Sequence, residues 1–249
     1  MLVPYNLLPW QWAAWIALGF AIGLSKAGFS GITAVIVPVI AVIFGAKAST
    51  GLNLPLLCFA DILAVVYYNQ HTKWNYILKL LPWTLVGFGV AILVAKIVPE
   101  QEFKYLMGGT ILVGLIVMVW NDRKRKDKPA PSGWWFSAIF GVAGGFSTAI
   151  GNIAGPIMVV FLLSMRLPKN NFVGTSAWFY LIVNFMKLPI QIFLWKNITV
   201  QTALFDVTAI PVVIVGMVLG VIMIKKISEP IYRQTIMILT LISTVLLFI

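Results

Sequence analysis

The chain contains little of what an enzyme or a metalloprotein needs. Cys58 and His71 are its only cysteine and histidine, and charged residues make up 10% of its 249 positions. One cysteine cannot form a disulfide within the chain, and one cysteine with one histidine cannot supply a thiolate or imidazole metal site. No cluster of His, Cys or carboxylate residues suggests catalysis, and no ATP-binding loop of the Walker type is present. The sequence predicts no catalytic residues, no metal site and no cofactor.

Hydrophobic residues are abundant instead. They make up 61% of the chain, and the mean hydropathy is +0.98. A helix that crosses a bilayer needs about 20 predominantly apolar residues, and such runs follow one another almost end to end with short polar loops between them. The sequence therefore predicts an all-α integral membrane protein that crosses a cell membrane several times and contacts its lipids.

The basic residues give a net charge of +11, but they do not indicate nucleic-acid binding. They fall almost entirely in the loops between apolar runs, where positive charge sets membrane orientation. No Lys or Arg precedes the first run, and Pro4 and Pro9 interrupt it, so a cleaved signal peptide is not expected.

Apolar runs and helix breakers divide the chain into two membrane halves. Residues 1–120 form the predicted N-terminal repeat, residues 121–132 a basic linker, and residues 133–249 the C-terminal repeat. The predicted helical segments are 10–24, 31–44, 50–68, 77–97 and 103–120 in the first half, and 134–147, 153–165, 172–194, 201–224 and 230–248 in the second.

The first two segments of each half are about 14 residues long, too short to cross upright at about 1.5 Å per residue. If each pair forms a re-entrant hairpin, 13 Lys and Arg lie on one side and four on the other, with Lys187 inside a helix. Such an asymmetry marks the cytoplasmic face. We therefore expect both termini outside and the linker 121–132 in the cytoplasm.

Five elements per half is an odd number, so the second half begins on the opposite face and the halves are predicted to be inverted repeats. Sequence matches in a common order support a duplication. They pair Gly28-Phe29-Ser30 with Gly145-Phe146-Ser147, Pro38 with Pro156, Gly51 and Asp61 with Gly174 and Asn184, and Pro82 and Gly87 with Pro211 and Gly216.

A glycine-broken apolar stretch opens each half, at 19–31 and at 141–152. Paired interruptions of this kind point to the binding site of a transporter. Ser30 is predicted to cap the 31–44 segment and Asn152 the segment that begins at Ile153. Two such helix N-termini meeting in the membrane would bind an anion. Close helix packing is the alternative use of these glycines, and we favour packing for Gly216 and Gly220.

Ionisable residues inside apolar runs are further candidates, because charge in the bilayer is costly and usually functional. Asp61 either exchanges a proton that drives transport or makes a structural hydrogen bond, for example to Asn53. Lys187 lies one turn after Asn184 and is predicted to face the same cavity, balancing a bound anion or pairing with Asp61. Lys26 either contacts substrate at the cavity mouth or only marks the cytoplasmic side.

Some aromatic and acidic residues receive weaker expectations. Trp178 and Tyr180 lie deep in their segment and could line the cavity, whereas Asp206 stands near a helix start and is predicted to be interfacial. The candidate substrate-binding residues are Lys26, Gly28, Ser30, Gly31, Thr33, Asn53, Asp61, Ser147, Thr148, Gly151, Asn152, Ser176, Asn184 and Lys187.

At these motifs, and at Gly51-Leu52-Asn53, Gly174-Thr175-Ser176 and Val98–Lys104, the sequence resembles the sulfite exporter TauE/SafE family. This family comprises small bacterial and archaeal permeases with two related halves, and the similarity runs from Gly19 to the last helix. The resemblance implies a multi-pass protein of the prokaryotic plasma membrane that exports small sulfur-containing or organic anions, such as sulfite or sulfonates.

Two modes of action fit these expectations. The first is a secondary carrier that works by alternating access, with proton coupling left open. The second is a passive anion channel. A small anionic substrate and membrane lipids are the expected partners, nucleic acid is not, and homodimerisation stays open.

Overall fold

The computed structural model describes residues 7–97, 102, 133–152 and 154–246, and every regular element in these ranges is helical. The predicted segment 103–120 and the linker 121–132 lie outside the described residues. The helices are α1 Pro9–Ala27, α2 Thr33–Phe44, α3 Ala46–Leu52, α4 Leu54–Tyr68, α5 Trp74–Ile97, α6 Trp134–Gly151, α7 Gly155–Ser164, α8 Lys169–Pro189, α9 Val200–Val207, α10 Ile210–Lys226 and α11 Glu229–Leu246.

Short turns of other helical types join some of these elements. The 3-10 turns Ser30–Ile32 and Asn69–His71 precede α2 and follow α4, and a π-helical turn, Ile190–Leu194, extends α8. Proline stands in the first turn of α1, α4, α7 and α10. It suits that position because its missing N–H group would have no intrahelical partner there.

Three helical stretches of the described ranges are long and apolar enough to cross a membrane: Ala48–His71, Trp74–Val94 and Lys169–Leu194. The pair Val200–Val207 and Ile210–Lys226, bent by 50°, is a fourth candidate. Many large apolar side chains stay exposed on the outside of the bundle, among them Val66, Leu93 and Phe193. An apolar exterior of this kind is what a lipid environment requires.

The first helix of each half is longer than the sequence predicted. α1 has 19 residues and α6 has 18, or about 28 Å each at 1.5 Å per residue, which is close to the thickness of the hydrocarbon core. The glycine-rich stretches are therefore mostly helical, and the breaks come only at their ends, after Ala27 and after Gly151. By contrast, α2 and α7 have only 12 and 10 residues.

Helices of the first half pack mainly on helices of the second. The most extensive contacts join α1 to α10, α5 to α6, and α4 to α8. Of these six helices, the first of each half contacts the last of the other half, and the middle helices, α4 and α8, contact each other.

Glycines allow close approach of the backbones at two of the large helix contacts. A Cβ atom on Gly23 or Gly216 would collide with the backbone across the α1–α10 contact, and one on Gly87 or Gly145 would collide across the α5–α6 contact. Gly220 likewise faces Ala27. The packing role that the sequence favoured for Gly216 and Gly220 is therefore the one observed, since absent side chains let the backbones approach closely.

The two other glycines of the aligned motifs differ in their places in the helices. Gly145 lies inside α6 and packs on α5, whereas Gly28 follows the end of α1. The match of Gly28 with Gly145, and the inverted repeat that it supports, stay predictions.

Two glycines on α5 give a matched test of this packing. Gly87→Ala should lower the free energy of unfolding by about 1–3 kcal/mol, because the new methyl group meets the α6 backbone. Gly89 faces open space, so Gly89→Ala should be neutral or stabilising by up to about 1 kcal/mol. Unfolding of both variants in mixed detergent–lipid micelles measures the difference, and equal stabilities would contradict the packing.

Candidate functional site

A buried ion pair lies between α1 and α4. The Lys26 Nζ atom is 2.6 Å from Oδ1 of Asp61, and the Asp61 side chain is fully buried. Asn184 of α8 donates a hydrogen bond of 2.6 Å from Nδ2 to the other carboxylate oxygen. Lys26 is 8% exposed and binds the carboxylate, so it is more than a surface charge, and its contact with substrate stays a prediction. Asp61 has Lys26 and Asn184 as partners, not Asn53.

A second buried lysine forms no ion pair with a carboxylate among the residues that the structure describes. Lys187 of α8 is 1% exposed. Its Nζ atom donates to the Thr148 carbonyl oxygen at 3.2 Å, to the Thr148 hydroxyl oxygen at 3.0 Å, and to Oδ1 of Asn152. The predicted pairing of Lys187 with Asp61 was therefore wrong in this conformation. Neutral oxygens solvate the ammonium group, because the end of α6 directs them at it.

Asn152 links the two halves at the break after α6. It adopts the left-handed conformation (φ 58°, ψ 26°) that ends this helix, which asparagine tolerates better than most residues. Its Nδ2 atom donates to the Thr50 carbonyl oxygen at 2.8 Å and to Oδ1 of Asn53 at 2.6 Å. The prediction that Asn152 caps the following helix was wrong, since Ala154 holds the N-cap position of α7.

The other predicted cap also differs. Ser30 begins a 3-10 turn, and α2 starts only at Thr33. Gly28 has φ 135°, a conformation that favours glycine, and its carbonyl oxygen accepts a hydrogen bond of 3.0 Å from the Tyr232 hydroxyl. This hydrogen bond joins the break after α1 to α11.

A small cavity lies beside the ion pair. Its volume is about 20 Å³, which is room for about one water molecule. The Tyr180 ring, one of the predicted lining candidates, stands with its centre 4.5 Å from Nζ of Lys26, within the range of a cation–π contact. The described residues that line the cavity are Ser25, Lys26, Leu57, Thr148, Asn152, Ala154, Gly155, Tyr180 and Asn184.

The start of α7 borders this cavity through Ala154 and Gly155. The first backbone N–H groups of a helix lack intrahelical partners and favour negative charge. Of the two predicted helix starts, this is the one found among the described lining residues. Pro156 in the first turn has no N–H group, so this helix start offers one donor fewer.

The structure brings half of the predicted site residues into one network and leaves others apart. The hydroxyls of Ser147 and Ser176 donate to carbonyl oxygens of their own helices, Ala143 and Val173. The Thr33 side chain and the exposure of Gly31 are outside what the structure describes. Gly151 is the last residue of α6. The residues joined by contacts or by the cavity are Lys26, Asn53, Asp61, Thr148, Asn152, Asn184 and Lys187.

Sequence reasoning missed one polar residue next to this network and misplaced a second one elsewhere. Gln191, 1% exposed, donates from Nε2 to the Thr50 hydroxyl at 3.1 Å. A lone amide inside the apolar run from Pro189 to Leu194 was the available signal. Asp206 was predicted to be interfacial, but it is 2% exposed, and neither of its carboxylate oxygens has a hydrogen-bond partner in the described part of the chain.

The ion pair makes a prediction about stability. Removing one partner of a buried pair leaves an uncompensated charge and costs about 3–5 kcal/mol, so Lys26→Met and Asp61→Leu should each be strongly destabilising. The double variant should recover most of the loss, because no isolated charge remains. Denaturation in mixed micelles measures the cycle, and additive losses in the double variant would show that the two groups do not interact.

Comparison with known proteins supports the resemblance seen in the sequence. The family model for the sulfite exporter TauE/SafE matches residues 15–247, which is nearly the whole chain of 249 residues. No curated protein and no solved structure gives a significant match. An all-helical protein with apolar spans and a family match of this extent is a membrane transport protein, and the chain belongs to the TauE/SafE sulfite exporter family.

Proposed function

We propose that this protein is a secondary carrier of small oxyanions, with sulfite and simple sulfonates as the substrate class. One observation carries the proposal: Lys187 is buried with neutral acceptors as its partners. An ammonium group without a counter-ion inside a membrane protein is costly. A bound anion would supply the missing charge.

The charges around the centre support an anion over a cation. Lys26 and Lys187 contribute two positive charges when ionised, and Asp61 contributes one negative charge, which leaves an excess of one positive charge. The amide of Asn184 and the start of α7 would add donors around the cavity that Lys26 lines. Sulfite and sulfonate groups carry three oxygens that accept hydrogen bonds from such donors.

The size of the cavity supports a carrier over an open channel. At about 20 Å³ it holds roughly one water molecule, so an anion of sulfite size would need the surrounding helices to move. Alternating access supplies that movement, with one repeat rocking against the other. The contacts of α1 with α10 and of α5 with α6 would serve as the interfaces between two inverted repeats.

We further propose that the Lys26–Asp61 pair couples anion and proton movement. An anion that binds Lys26 competes with the Asp61 carboxylate for the same ammonium group. Once displaced, the buried carboxylate either regains solvent or takes up a proton. The proton would then move with the anion, and Asn184, which cannot titrate, would hold the carboxyl group in place.

The proposed orientation follows the distribution of positive charge. The exposed ends of α10 at Lys225 and Lys226 would face the cytoplasm together with the linker 121–132, and the loop at Lys196 would face outside. The proposed location, a prokaryotic plasma membrane, rests on membership of the family.

Lys187→Met tests the anion site, because it keeps the length of the side chain and removes its charge. In proteoliposomes the apparent affinity for methanesulfonate should fall by about 10- to 100-fold, the value of one hydrogen bond to a charged group. Lys226→Met, at an exposed position on α10, is the matched control and should keep the affinity of the unsubstituted protein. An unchanged affinity in Lys187→Met would remove the basis of the proposal.

Asp61→Asn tests the coupling, because asparagine can hydrogen-bond but cannot carry a proton. Uptake of methanesulfonate, which does not titrate near neutral pH, is measured with and without a pH gradient. A gradient with the outer solution more acidic should accelerate uptake by the unsubstituted protein and should have no effect on Asp61→Asn. Glu229→Gln, at an exposed carboxylate, controls for loss of an acidic residue. If Asp61→Asn keeps the full response to the gradient, Asp61 is not the coupling group.

A further inference from the structure

A chain of polar side chains leads away from Lys187 toward one end of the bundle. Lys187 donates to Asn152, and Asn152 donates to the carbonyl oxygen of Thr50. Gln191 donates to the Thr50 hydroxyl at 3.1 Å and accepts a hydrogen bond of 2.9 Å from Nδ2 of Asn197. Asn197 is half-buried and sits beside the exposed Lys196, so the chain runs from the buried centre to the surface.

The backbone around Gln191 is unusual. After Pro189 the helix widens into the π-helical turn Ile190–Leu194, closed by a hydrogen bond of 2.9 Å from the Trp195 N–H to the Ile190 carbonyl oxygen. Single π turns occur mostly at functional positions. Here the turn buries Gln191 at 1% exposure and leaves the apolar side chain of Phe193 76% exposed.

The contact at Gln191 joins the two halves of the protein. Thr50 belongs to α3 in the first half, and Gln191 and Asn197 belong to the second. A Cβ atom on the neighbouring Gly51 would collide with Asn197, so α3 and the loop after the π turn touch with no space for a side chain. The contact is therefore both polar and tightly closed.

We infer that Thr50, Gln191 and Asn197 form a gate, the Gln191 gate, between the anion centre and the membrane face that carries Lys196. The inference rests on the proposed carrier function and assigns these residues a role in it. Apolar packing would suffice to join two helices in a membrane, whereas buried amides mark routes for polar solutes. The gate is held by neutral hydrogen bonds, which are weak enough to break in a transport cycle. Separation of α3 from the π turn would open the route.

Thiol accessibility tests the gate independently of transport. Cys58→Ser gives a protein without cysteine, and Thr148→Cys then places a reporter in the cavity wall. Reconstituted protein is exposed to a membrane-impermeant methanethiosulfonate reagent from one side at a time. A separate Lys196→Cys protein identifies the side on which the loop lies.

In the reporter protein, Gln191→Ala should raise the labelling rate about tenfold from the Lys196 side, because both side-chain bonds of the gate are lost. The rate from the other side should not change. Gln201→Ala, at an exposed position on α9, is the matched control and should label like the reporter alone. An unchanged rate, or an equal rise from both sides, would overturn the gate.

Two further measurements keep the outcome decisive. If Gln191→Ala does not reconstitute, Asn197→Ala decides in its place, since it removes one of the two side-chain bonds and should give a smaller rise from the same side. If no anion is transported by the unsubstituted protein, the proposed function fails while the labelling rates still judge the gate. If methanesulfonate is transported but labelling does not respond, the gate alone is rejected.

Discussion

Two lysines and one carboxylate buried in the same centre are the constraint on which the rest of the structure depends. Lys26 and Asp61 neutralise each other at 2.6 Å, but in the described part of the chain the partners of Lys187 are the oxygens of Thr148 and Asn152. Burying that ammonium group requires hydrogen-bond acceptors, and these stand together at the end of α6. The break after α6 is one consequence, because the left-handed turn at Asn152 brings its side chain between Lys187 and the first half of the chain.

The same constraint connects the architecture to function. Glycine contacts between α1 and α10 and between α5 and α6 make two tight interfaces between the halves. The polar centre lies where residues of α1, α4, α6 and α8 meet. The polar chain through Thr50 and Gln191 leads from this centre to a surface loop. The proposed carrier would use these three parts as the interfaces between its repeats, the charged site and the closable route.

Much of this could be predicted from the sequence. Composition predicts a helical membrane protein, and the costly burial of Asp61 and Lys187 in apolar runs marks both as candidates without a structure. Helix ends and partners were harder. The glycine-rich stretch before Asn152 looked like a long interruption, yet α6 continues to Gly151, because tight packing on α5 favours glycine within a regular helix. The partner of Asp61 could not be predicted, since Lys26 is near in space but 35 positions away in sequence. Gln191 was missed although it is a lone amide in an apolar run, because the π turn that buries it has no simple sequence signature.

The central claim is that the buried excess of positive charge makes this centre an anion site. Counterflow in proteoliposomes tests it most directly, with sulfite, thiosulfate, sulfonates and simple carboxylates compared against inorganic cations and neutral solutes of similar size. The account predicts saturable exchange of one or more of the anions and no exchange of the cations or neutral solutes. Exchange confined to cations or neutral solutes would contradict it.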